Sequence, residues 1–155
     1  PAAAPPDFLR LTLDGVPVEF HEGDAGPARD SARALAWAAE RLQRDTGLLL
    51  TPQPTLALAR GREEFDLLCG RAMPPWSVAA ALPRSNRIIL DAGKAPPASP
   101  EARALLFHEA VHLALARLET GRADRLPLWL HEGLATWLAA LATSTTYGTD
   151  VGDYI

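Results

Sequence analysis

Apolar and polar residues alternate along residues 8–20, and Asp14-Gly15 interrupts this alternation. An Asp-Gly pair between two alternating segments is the strongest short-range signal for a β-hairpin. The pattern therefore predicts two antiparallel strands that meet at Asp14-Gly15. Three further apolar runs are bounded by residues that favour turns, and they predict strands at 55–59, 77–82 and 87–91.

Apolar residues recur at helical spacing in four segments that are bounded by residues favouring helix ends. Ser99 is a suitable N-cap and Pro100 suits the first position, so the third of these helices is expected to begin there. Its apolar side is predicted to contain Leu105, Val111, Leu115 and Leu118. The connection that follows is short, so the fourth helix must fold back against the third. The predicted helices lie between Pro27 and Gly47, and at 62–68, 101–120 and 127–141.

These elements predict an α+β fold in which a small, mixed, twisted sheet packs against helices. The length of 155 residues is typical of one domain. We assign this domain to residues 7–142. Residues 1–6, which are rich in Pro and Ala, are expected to be a flexible linker or the region just after an export signal. Residues 143–155 are polar and are expected to be a tail or a truncated continuation.

Composition excludes several classes of partner. The net charge is −4 and the 15 Lys and Arg residues are scattered, so we expect no nucleic-acid partner. The most apolar segment carries His131 and Glu132, so we expect no membrane span. Cys69 is the only cysteine, which excludes an internal disulfide and favours a buried, inert thiol. Composition does not determine the oligomeric state.

The third predicted helix contains the sequence HEAVH at residues 108–112. Residues four apart lie on one face of a helix, so the imidazoles of His108 and His112 could reach one metal ion. Glu109 would then lie beside the ion without binding it. The alternative is that these are two surface histidines on an ordinary amphipathic helix.

HEAVH followed by PLWLHEGLA, which includes Glu132, resembles the gluzincin zinc metallopeptidases, and most closely the small peptidase MA-like family. The resemblance covers residues 105–137. It implies a zincin-like fold with the HExxH helix at the cleft, and Zn²⁺ held by His108, His112 and Glu132. Such a site keeps a fourth position for water. It also implies a bacterial secreted or envelope-associated location.

The expected reaction is hydrolysis of a peptide bond in a peptide or protein substrate, with Glu109 as the general base. In gluzincins a strand at the sheet edge binds extended substrate. The candidate strand has small side chains, although it could equally be a short strand facing a helix. Its residues are Val78, Ala79, Ala80 and Ala81. Residues 71–85 contain no Asp or Glu that could hold a substrate amine, which favours an endopeptidase over an aminopeptidase.

Other candidate residues are less constrained by pattern. The Thr136 hydroxyl could hold a ligand histidine by its other nitrogen, or could bond to its own helix. Tyr147 and Tyr154 are candidates for the donor to the oxyanion. His131 is expected to be no ligand, because one step along a helix turns it about 100° from Glu132. Trp76 could belong to the core or to a cleft wall.

Two alternatives to an enzyme remain. One is a zinc-binding domain without catalysis, and the other is an interaction module that holds a partner strand without cutting it. A purely structural zinc site usually has four protein ligands, and Glu109 would have no use there as a base. A second group of polar residues, His21, Glu22 and Asp24, is expected to form a solvated turn and not a second metal site.

Overall fold

The computed structural model describes residues 7–121 and 125–143. The five strands are β1 (Phe8–Leu13), β2 (Val16–His21), β3 (Thr55–Ala59), β4 (Ala79–Leu82) and β5 (Arg87–Asp91). The four α-helices are α1 (Ala25–Thr46), α2 (Arg62–Cys69), α3 (Pro100–Glu119) and α4 (Leu128–Thr143). A short 3₁₀ turn at Pro83–Ser85 joins β4 to β5.

The predicted hairpin is confirmed. Strands β1 and β2 pair antiparallel, with Phe8 opposite His21 and Leu13 opposite Val16. Asp14 and Gly15 both adopt positive φ angles, 48° and 80°. A two-residue loop of this kind matches the right-handed twist of the flanking strands, which explains why Asp-Gly is found at this position.

The sheet is mixed, as predicted, with the strand order β1-β2-β3-β5-β4. Strands β2, β3 and β5 run parallel, while β1 and β4 are antiparallel to their neighbours. Parallel neighbours need long crossover connections, and the long α1 makes the crossover from β2 to β3. Strand β4 therefore lies at one edge of the described sheet, beside β5.

Helices cover both faces of the sheet. Alternate residues of the central strands, such as Val18, Leu56 and Ile88, join α1, α3 and α4 in one buried cluster. Residues of opposite orientation, such as Ala57 and Ile89, pack with α2 in a smaller second cluster. The prediction of an α+β fold with a mixed sheet packed on helices is confirmed.

Helix α3 is buried around most of its circumference, because it contacts α1, α4 and the β4 side of the sheet. The predicted one-sided apolar stripe is therefore wrong in part. Val111 and Leu115 are buried, but Leu118 is 55% exposed at the end of the helix. The helix ends at Glu119, with Thr120 as its C-cap.

Helix α4 buries much less of its surface. Of its 16 residues, all of which the structure describes, Ala135 and Ala139 are the two that are fully buried. Its outer face exposes large apolar side chains: Leu128, Trp129, Trp137 and Leu141. The helix also extends through Thr143, one residue into the segment that was predicted to be a polar tail. None of the helices in the described ranges is both long and apolar enough to cross a membrane.

Candidate metal centre

The sequence of α3 explains why two histidines lie on one face of a regular helix. The Ser99 hydroxyl accepts a hydrogen bond from the Ala102 N–H at 3.0 Å, and Pro100 occupies the first turn, as predicted. Neither Gly nor Pro occurs within the rest of the helix. The Nε2 atoms of His108 and His112 are 3.0 Å apart, and both imidazoles are partly buried.

Helix α4 brings the predicted third ligand to these histidines. One carboxylate oxygen of Glu132 lies 3.5 Å from Nε2 of His108, and the other lies 3.4 Å from Nε2 of His112. Ligands held about 2.1 Å from a tetrahedral zinc ion are about 3.4 Å from one another, because a tetrahedron's edge is about 1.63 times its centre-to-vertex distance. Each separation is within about 0.4 Å of that edge, and the two Glu132 distances are measured to its two different oxygens.

Among the described residues, His108, His112 and Glu132 form the one group of three or more His, Cys, Asp and Glu side chains whose ligand atoms all lie within 4.8 Å. Two neutral imidazoles and one carboxylate are a common donor set of catalytic zinc sites. The set leaves one tetrahedral position for water. The donor chemistry and the spacing therefore both fit zinc.

The candidate ligand side chains also shift one another's pKa values. Hydrogen bonds from His108 and His112 hold the pKa of the Glu132 carboxyl far below its usual range. Burial opposes the charged form of His112, but the hydrogen bond to Glu132 and the charges of Glu109 and Glu132 outweigh it, so the pKa of His112 is raised. These shifts favour the charged form of Glu132, whose two oxygens each face one imidazole.

Glu109 lies beside this group and is not part of it. Its side chain is buried, and burial raises the pKa of its carboxyl, although the nearby His108 and His112 and a hydrogen bond from the Ala81 N–H lower it. The Ala81 contact connects the carboxylate to the edge strand β4. The structure therefore puts a protonatable group between the candidate metal ligands and the edge strand β4.

Strand β4 presents backbone groups along that edge. Val78 O accepts a hydrogen bond from Asp91 N at 2.8 Å, so Val78 and Asp91 form a hydrogen-bonded pair. In an antiparallel ladder such pairs alternate, so the N–H and C=O groups of Ala79 and Ala81 point away from β5. The strand begins at Ala79, two residues later than predicted, and Val78 continues the ladder without belonging to the strand.

The segment before β4 is held in place by α2. The Arg62 guanidinium donates hydrogen bonds to the carbonyl oxygens of Met73, Pro74 and Ser77. Trp76, which lies in this segment, is 64% exposed and does not belong to the core. Of the two alternatives for Trp76, the core is therefore excluded.

His131 has a role that the sequence did not reveal. It is outside the group of His108, His112 and Glu132, and its ring stacks on His112 with centroids 5.9 Å apart and an angle of 19° between the planes. Its Nε2 lies 3.0 Å from Oε1 of Glu119, which also accepts the Leu126 N–H at 2.6 Å. These two hydrogen bonds lower the pKa of the Glu119 carboxyl. No pattern in the sequence pointed to Glu119.

The remaining predicted site residues are Thr136, Tyr147 and Tyr154. Thr136 is exposed, and no hydrogen bond joins it to either ligand histidine in the described structure, so its assistance to a ligand stays a prediction. Tyr147 and Tyr154, the oxyanion candidates, lie outside the described residues, as do residues 1–6 and most of the 143–155 segment.

The structure also tests the predictions for His21 and Cys69, which are distant from the site. The prediction that His21 belongs to a solvated turn is wrong, because its ring is buried between the carboxylates of Asp7 and Glu64. Those carboxylates bind different ring nitrogens, so the arrangement is no chelate. Cys69 is half-buried, and burial raises the pKa of its thiol to about 11, which agrees with an inert cysteine.

Comparison with known proteins does not add to this geometry. No protein-family model matches the chain, and no curated protein matches it significantly. The functional assignment therefore depends on the residues and their arrangement.

Proposed function

We propose that this chain is a zinc-dependent metallopeptidase domain of the gluzincin type, with a zincin-like fold. His108, His112 and Glu132 would hold Zn²⁺, and Glu109 would be the general base. The observation that carries the proposal is the convergence of two imidazoles and one carboxylate from two helices, with ligand atoms within 4.8 Å of one another, beside the buried Glu109 carboxylate. When bound, zinc supplies a Lewis acid that lowers the pKa of water towards about 7 and polarises a carbonyl.

The Glu109 carboxylate performs the proton transfers in this proposal. It takes a proton from the attacking water and delivers it to the nitrogen of the leaving amine. Its buried position keeps bulk water from competing for that proton. Its contact with the Ala81 N–H puts it at the strand along which a substrate would lie.

A peptide is the substrate that the surroundings favour. The outward Ala79 N–H and Ala81 C=O can pair with an extended peptide backbone, and the methyl side chains of both residues allow it to approach. The other two outward groups have partners within the chain: the Ala79 carbonyl accepts the Ser77 hydroxyl, and the Ala81 N–H donates to Glu109. The absence of Asp and Glu from residues 71–85 favours an endopeptidase, since an aminopeptidase needs an acidic group for the substrate's free amine. A bacterial secreted or envelope-associated location remains part of the proposal.

The test compares wild-type protein with Glu109→Gln for zinc content and for turnover of a mixed peptide pool. We expect the variant to retain zinc and to lose activity by about 10²–10⁴-fold, which is the usual contribution of a general base. Glu101→Gln is the matched control, because Glu101 is an exposed carboxylate on the same helix. Its activity should equal that of wild type.

Each alternative predicts a different result. A zinc-loaded Glu109→Gln variant that keeps most of its activity would contradict the role of Glu109. Wild-type protein that binds zinc but leaves every peptide intact would favour the silent zinc-binding domain or the interaction module.

A further inference from the structure

Two helices supply the ligands, so the site depends on what holds α4 against α3. His108 and His112 are one turn apart within α3, and their separation is a local property of that helix. Glu132 belongs to α4, and its distance from the histidines changes with any rotation or sliding of that helix. Apolar packing of Ala135, Ala139 and the partly buried Leu134 and Leu138 holds the inner face of α4, while its outer face is exposed.

A polar contact restrains α4 directly beside the ligand. The Glu119 carboxylate, at the last residue of α3, accepts the Leu126 N–H at 2.6 Å and lies 3.0 Å from Nε2 of His131. It thus binds both the segment that enters α4 and the first turn of α4 itself. The side chains of Glu119 and His131 are each only 13% exposed, so water competes little with this contact.

The same contact reaches a ligand from the other side. The His131 ring is held by Glu119 and stacks almost parallel on the ring of His112. The stacking limits how far His112 can rotate about its side-chain bonds. His131 therefore acts on two ligands: it precedes Glu132 in the chain, and it packs against His112.

Given the proposed function, on which this inference rests, we propose that Glu119 and His131 are positioning residues. They hold Glu132 and His112 in the geometry that zinc requires. Neither residue touches the metal or the substrate in this assignment. Their effect is on the preorganisation of the ligands, and residues that orient ligands in this way typically change metal affinity by about 10- to 100-fold when they are replaced.

The test measures zinc affinity by competition with a chelator, and the visible spectrum of the Co²⁺-substituted protein. Glu119→Ala removes the acceptor, and His131→Phe keeps the stacking ring but removes the donor. Each is expected to weaken zinc binding by about 10- to 100-fold and to alter the Co²⁺ spectrum. The double variant should be no weaker than the worse single variant, because the two residues act as one unit.

Two further variants separate positioning from a general loss of structure. Glu119→Gln keeps an oxygen that can accept both hydrogen bonds, so it should retain affinity within about threefold of wild type, since a neutral acceptor keeps the geometry. Asp45→Ala removes a carboxylate from the end of another helix, where it pairs with Arg41, and should leave zinc affinity unchanged.

The outcomes distinguish this inference from the proposed function. If wild-type protein binds zinc and Glu119→Ala binds it equally well with an unchanged Co²⁺ spectrum, the positioning role is overturned and the zinc site stands. If wild-type protein binds no zinc after supplementation, both the proposed function and the positioning role are overturned.

Discussion

If His108, His112 and Glu132 hold zinc as proposed, replacing Ala135 with leucine is expected to weaken zinc binding through the packing of α4 against its neighbours. Ala135 is fully buried and lies about one turn beyond the ligand Glu132. Leucine adds three carbon atoms to a side chain that is fully enclosed by its neighbours. Helix α3 is held by α1 and by the sheet, whereas α4 has a largely exposed outer face. The larger side chain should therefore displace α4 and not α3. This displacement would move Glu132 away from the histidines.

The size of the effect follows from the strain of overpacking. Inserting extra methylene groups into a packed site typically costs about 1–3 kcal/mol. In the protein without metal, an outward shift of α4 relieves this strain. Zinc tolerates ligand distances within only about 0.2 Å of their normal values, so binding must draw α4 back and restore the strain. A cost of about 1–3 kcal/mol lowers affinity by roughly 5- to 150-fold.

The assay is a chelator competition for zinc on wild type, Ala135→Leu and Ala140→Leu. Ala140 is a half-buried alanine on the same helix that does not pack against the core cluster, so its leucine variant should bind zinc normally. Urea unfolding of the zinc-free proteins verifies that each variant is folded. Equal zinc affinity in a folded Ala135→Leu variant would refute the idea that packing at this alanine sets the position of Glu132.

Two further predictions concern other parts of the sheet. Burial opposes protonation of His21, but the hydrogen bonds and charges of Asp7 and Glu64 outweigh it and raise its pKa above 6.5. The contribution of His21 to the free energy of unfolding is therefore complete below about pH 6.5, and it is lost as the pH rises through the pKa of His21 in the folded protein. In urea unfolding, the stability difference between wild type and His21→Gln should shrink with rising pH, and a growing difference would contradict this. At the edge strand, Ala79→Pro removes an outward N–H and should raise KM for peptides without unfolding the protein, whereas Ala80→Pro removes a ladder hydrogen bond and should destabilise the fold. An unchanged KM in Ala79→Pro would exclude this N–H from substrate binding.

Features that depend on neighbours in the chain were predictable from the sequence. The separation of His108 and His112 follows from helical spacing, and the Ser99 cap and Pro100 mark where that helix begins. Asp14-Gly15 determined the hairpin, because few other residue pairs adopt positive φ at both positions at low cost. These features involve residues only a few positions apart, so the interactions that determine them lie within a short stretch of sequence.

Sequence resemblance suggested Glu132 as a ligand, but only the packing of α4 on α3 determines its distance from the histidines. The same packing decides that His131 meets Glu119 across the connection between the helices. It also decides that Thr136, on the same helix, is exposed. The rotation of a helix about its axis depends on every side chain in the interface, and a nearly uniform run of apolar residues does not specify it.

The sheet likewise has features that the local sequence predicted and features that only the tertiary structure determined. Alternation and apolar runs bounded by turn residues identified most strand positions, but the order of the strands and the edge position of β4 depend on long-range pairing. His21 was misassigned because its two carboxylate partners, Asp7 and Glu64, are 14 and 43 residues away in sequence. By itself the sequence determined the local elements and the residue types of the proposed metal centre. The tertiary structure alone decided which of those residues meet, because contacts between distant segments depend on how all the elements pack together.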